Sequence, residues 1–175
     1  SAGSDFCAAM LHENKKKLEF VHLDADGQKT SHVVNYQNGN PVSLIDIGWS
    51  GRSCAALFRQ DVNFNPKDDD VVLIRWAPSS PNSTKSVKIS TDTYDTNGVP
   101  YWAQIAAVEH VANRGWVTVY IKTDDTPLEV DDDIFFRTVK EDLSGSPSKR
   151  QKITEVFVRS GEPWPSVDIG PSPKG

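Results

Sequence analysis

The stretch KLEFVHLDADGQKTSHVVNY, residues 17–36, decides the fold class of this chain. Apolar and polar residues alternate with a period of two on both sides of Ala25-Asp26-Gly27. That pattern predicts an antiparallel hairpin closed by a three-residue loop, with Gly27 in the left-handed bulge position. The loop sets Leu18 opposite Val34, Phe20 opposite His32, and His22 opposite Thr30. One face then holds Leu18, Phe20 and Val34, and the other holds Glu19, Val33 and Lys29. A two-residue turn on Asp26-Gly27 would slip the pairing by one residue and put His22 and His32 on opposite faces. The bulged register gives the cleaner apolar face and is the expected one.

The same grammar runs outward from this hairpin. Asn38-Gly39 and Asn97-Gly98 are further hairpin signals, and short β-rich runs separate polar turns along the chain. Strands are expected at 17–24, 30–36, 42–47, 53–60, 70–76, 85–91, 101–111, 115–122, 133–140 and 151–159. Phe6–Leu11 fits either a strand or a short helix capped by Ser4 or Asp5. No periodic segment is long enough to supply the crossover helices of a parallel sheet. The expected fold is therefore all-β: an antiparallel β-sandwich or jelly-roll-like domain of about 8–10 strands with at most one short helix. Lys67–Arg75 and Val130–Arg137 echo one another, three aspartates leading into an apolar run that ends in arginine. Such continuous runs predict central strands covered on both sides.

A chain of 175 residues fits one domain, burying roughly 70% of its unfolded surface. Residues 1–5 are expected to be a linker, 6–159 the β-sandwich domain, and 160–175 a Pro/Gly/Ser-rich tail. These ends have the composition of a module set within a larger protein. The net charge of −5 and pI near 5.3 argue against a general nucleic-acid binder. No apolar stretch reaches the length of a membrane-spanning helix. Two cysteines, Cys7 and Cys54, allow one bridge or two buried thiols and exclude a four-thiolate zinc site.

Chemistry-bearing residues fall into three groups. Asp68, Asp69 and Asp70, with Asp131, Asp132 and Asp133, are candidate calcium ligands, because calcium collects carboxylate and carbonyl oxygens. The spacing is not that of an EF-hand, and acidic triplets also solvate loops. Trp49, Tyr101, Trp102, Trp116 and Tyr120 are candidate contacts to a protein or glycan, since aromatic faces offer large, low-entropy contact area. If Val117, Val119 and Ile121 face the core, Trp116, Thr118 and Tyr120 form an outward stripe; core packing is the competing reading of the tryptophans. Asn82-Ser83-Thr84 is a glycosylation acceptor triplet in a polar loop. Catalysis has no motif: Gly48-Trp49-Ser50-Gly51-Arg52 lacks the second glycine of a nucleophile elbow. Lys149-Arg150-Gln151-Lys152 reads as a solvated, mobile loop.

In style the chain resembles the projecting or surface domains of small viral capsid proteins and of secreted adhesins. The likeness lies in a Thr/Asp/Pro-rich β pattern, the linker-like end and the acceptor triplet in a loop. It implies a non-enzymatic surface domain for attachment or assembly, extracellular or on a virion, with a receptor or glycan partner or self-association. Two alternatives accompany it. One is a calcium-dependent carbohydrate-binding module. The other is a hydrolase with an unrecognised Ser/His/Asp site.

Overall fold

A computed structural model describes residues 5–12, 17–35, 40–61, 70–90, 106–123 and 132–156. Among them are eleven strands: β1 Phe6–Leu11, β2 Lys17–Leu23, β3 Lys29–Asn35, β4 Asn40–Trp49, β5 Cys54–Asp61, β6 Asp70–Trp76, β7 Thr84–Ser90, β8 Ala106–Val111, β9 Gly115–Thr123, β10 Asp132–Val139 and β11 Gln151–Val156. The described residues contain no helix, so Phe6–Leu11 resolves as a strand. The strands form three antiparallel sheets, each a meander of consecutive strands: β1-β2-β3 (sheet A), β4-β5-β6-β7 (sheet B) and β11-β10-β9-β8 (sheet C).

The first hairpin adopts the bulged register. Leu18 lies opposite Val34, Phe20 opposite His32 and His22 opposite Thr30. Gly27 takes φ +78°, which a side chain would resist. The Asp24 carboxylate accepts the N–H groups of Asp26 and Gln28 at 3.0 and 2.8 Å, locking the turn from inside.

Sheet B is sandwiched between the other two, and its sequence shows why. Along β5, Ala55 and Leu57 join one core while Cys54, Ala56 and Phe58 join another. Along β6, Val71 and Leu73 face the first core, and Val72, Ile74 and Trp76 face the second. Period-two alternation of apolar residues on both parities can be satisfied only by cover on both faces. The B–C core adds Val108, Trp116, Tyr120, Phe135 and Val139. The A–B core adds Leu18 and Phe20, with Cys7, Ala9, Val34, Leu44 and Trp49 packed against it.

Two contacts pin the layers together. Cys7 and Cys54 form a disulfide, with Cα atoms 6.1 Å apart, between β1 of sheet A and β5 of sheet B. At the other interface the Val108 N–H donates to Asp46 Oδ2 at 2.7 Å, so a β4 side chain satisfies the edge of β8. Gly48 lies beside this contact. A Cβ there would sit 2.9 Å from Trp116 Cζ3 and 3.3 Å from the Val108 carbonyl oxygen, so only glycine lets the two sheets close.

Candidate functional site

The aromatic residues singled out by sequence separate into distinct environments. Trp116 and Tyr120 are fully buried in the B–C core. The Trp116 indole N–H donates to the Glu141 carbonyl oxygen at 3.1 Å. The outward stripe expected from alternation therefore faces inward, with Thr118 also buried between Trp116 and Tyr120. The reason is volume: sheet C fills the gap to sheet B with its bulkiest alternate residues, while Val117 on the opposite parity is only partly covered. Trp49 is half-buried in the A–B layer, its ring 5.1 Å from that of His22. Tyr101 and Trp102 lie outside the described residues.

Among the described residues no cluster of three or more His, Cys, Asp or Glu side chains is placed to hold a metal ion. Asp70 is buried, with the Lys88 ammonium 2.5 Å from its Oδ2. That oxygen has no aligned hydrogen-bond donor, so the contact is a charge pair. A calcium ion would have to displace Lys88 to use it. Asp68, Asp69 and Asp131 lie outside the described residues, as do the side chains of Asp132 and Asp133. Asn82 is exposed in the turn between β6 and β7, whose Ser83 N–H donates to Ser80 O.

One polar cluster joins the β4–β5 turn to the end of sheet C. Ser50 Oγ donates to Glu141 Oε1 at 3.1 Å and lies 3.0 Å from Ser53 Oγ, which also accepts from Arg75 Nε at 3.1 Å. His110 Nε2 lies 3.7 Å from Glu141 Oε2. A nucleophile needs its base at the hydroxyl, with the acid behind the base. Here the carboxylate lies between the serine and the imidazole, and the serine also accepts the N–H groups of Arg52 and Ser53. The arrangement locks a turn whose Gly51 takes φ +81°. Beside it, Asp142 is held below its ordinary acidity range, chiefly by hydrogen bonding to the Ser144 side chain and then by the Ser144 N–H at 2.9 Å.

Sheet A presents a different surface. The β1–β2 register places Phe6 opposite Leu23, Ala8 opposite Val21 and Met10 opposite Glu19. These residues have the parity opposite to Cys7, Ala9, Leu18 and Phe20, so they face away from the A–B core. Phe6 is 57% exposed and Met10 52%; Leu23, opposite Phe6, is 36% exposed, and Val33, 38% exposed, lies across Glu19 from Met10. Ala8 and Val21 fill the middle, and the pair His12–Glu19, 3.1 Å apart, rims one end. Sequence reading missed this patch because Phe6–Leu11 was ambiguous. Once that segment is a strand beside β2, residue parity alone identifies it.

Lys149, Gln151 and Lys152 are exposed, and Arg150 is half-buried against Phe135. Its guanidinium carbon stacks 4.3 Å above the Phe135 ring, where Lys149 and Arg150 lead into β11. No helix among the described residues is long and apolar enough to cross a membrane. The chain matches no family model, no curated protein and no solved structure.

Proposed function

We propose that this chain is a non-enzymatic surface module for attachment or assembly, carried by a larger structural protein of the capsid type, with sheet A as its contact layer. The observation that carries this reading is the solvent-facing cluster of Phe6, Met10, Leu23 and Val33 on one small sheet. Exposed apolar side chains gathered on one sheet face mark interaction sites. The sheet beneath it is held covalently by Cys7–Cys54, so the surface is presented rigidly. The disulfide also favours an oxidising location, extracellular or on a virion surface. The serine–glutamate–histidine order at Ser50 supports the non-enzymatic part of the reading.

The test is a glycan array run with the full chain and with the double variant Phe6→Ser, Met10→Ser, alongside labelling by a serine-reactive organophosphate. The reading expects glycan attachment that the double variant loses and no serine labelling. Attachment unchanged by the double variant, or stoichiometric labelling of one serine, would sink it.

A further inference from the structure

We propose that β3 pairs with β3 of a second copy, antiparallel across a two-fold axis at His32, so that two copies of sheet A form one six-stranded sheet. This rests on sheet A being the contact layer and names its partner.

The argument begins with which strand edges are protected. β4 and β8 lie at the B–C boundary, joined by the Val108–Asp46 bond, and β4 is bulged twice. β7 is bulged against β6 and carries exposed Lys85 and Lys88. β11 is bulged and carries exposed Lys152. β1 packs along β4 and is bridged to β5. Bulges, lysines and cover are the devices that keep edge strands from pairing. Among the described residues β3 has neither bulge nor proline over Lys29–Asn35, and its one lysine stands at its first position. Its inward residues Thr30, His32 and Val34 are only partly buried, whereas Leu18, Phe20 and His22 on β2 are buried. Among the described residues no strand pairs with its side away from β2.

Main-chain polarity fixes what β3 offers there. Asp24 N donates to Gln28 O at 3.1 Å, and His12 N donates to Lys17 O at 3.0 Å. Hydrogen-bonded and non-bonded pairs alternate along an antiparallel ladder. Counting from either bond, Leu18, Phe20 and His22 turn their N–H and C=O groups toward β3. Thr30, His32 and Val34 answer them, which leaves Lys29, Ser31, Val33 and Asn35 with main-chain groups aimed outward. A two-fold at His32 pairs Ser31 with Val33 and Lys29 with Asn35 of the second copy, each a hydrogen-bonded pair. All seven residues of the strand find a partner. Side-chain faces also agree, since paired residues share parity and Lys29 meets Asn35 rather than another charge.

Sedimentation of the full chain from about 1 µM to 1 mM, a range suited to small interfaces, is the test. The wild type should sediment as a monomer–dimer equilibrium. Val33→Pro removes an outward N–H that β2 does not use, so the monomer keeps its ladder while the dissociation constant rises at least about tenfold. Ser31→Lys should act the same way if the proline variant misfolds. His32→Cys should cross-link to itself under oxidising conditions, because non-bonded antiparallel pairs approach to about 4.5 Å. The Phe6→Ser, Met10→Ser variant should still dimerise, which separates this proposal from the attachment reading. A monomer at every concentration would overturn the pairing. So would a dimer that survives both Val33→Pro and Ser31→Lys, or one that His32→Cys does not cross-link.

Discussion

Tyr120 carries its hydroxyl into the B–C core, where no described residue hydrogen-bonds it. A buried hydroxyl without a partner costs about 1–3 kcal/mol of lost hydration. Tyr120→Phe should therefore leave urea stability unchanged or raise it by about 1 kcal/mol, and a loss above that would reveal a partner. Trp116 is the opposite case, fully buried and with its N–H satisfied. Trp116→Ala should cost about 3–5 kcal/mol in the same urea titration, whereas a surface contact residue would lose well under 1 kcal/mol. Alternation in residues 115–122 separates the two faces of the strand but does not say which is inward. Trp116, Thr118 and Tyr120 and their valine neighbours are both plausible cores by composition. The choice is made by the volume available against Leu57, Leu73 and Gly48 on another sheet, and no local pattern carries that information.

Elements were more legible than faces. The hairpin of residues 17–36 fixes its own register because turn chemistry and apolar parity agree. β6 spans Asp70–Trp76, the bounds expected from its sequence. Phe6–Leu11 was ambiguous because six residues show a helical and a strand period about equally well; pairing with β2 decides it. The two cysteines likewise gave no pairing until β1 was laid over β5. The bridge closes a separation of 47 residues, for which loop-closure entropy gives about 4 kcal/mol. The double variant Cys7→Ala, Cys54→Ala should lose about 2–4 kcal/mol in urea titration. Reductant should destabilise the wild type by a similar amount and leave the variant unaffected. Equal melts with and without reductant would show that the bridge does not hold sheet A to the body.

At the scale of the whole molecule, three meanders stack with the most apolar one in the middle. The continuous run Val71–Ile74 forecast cover on both faces of β6, and sheet B has it; the matching run on β10 does not, since Phe135 joins the B–C core while Ile134 and Phe136 on the other face are only partly buried. The identity of the covering sheets was not forecast, because stacking is decided by contacts between residues as distant as Asp46 and Val108. Two cores leave sheets A and C each with one outer face, and sheet A sets Phe6 and Met10 on its own. Among the described residues the same sheet ends at a strand, β3, with neither bulge nor proline, and the proposed contact layer rests on this face and edge together.

Hydrogen–deuterium exchange of the full chain, compared at about 1 µM and about 1 mM, tests that claim most directly. The account predicts slower exchange at the higher concentration within Lys29–Asn35, strongest at the outward amides of Ser31 and Val33, with β7, β8 and β11 unchanged. Protection appearing on β7 or β11 instead, or nowhere, would contradict it.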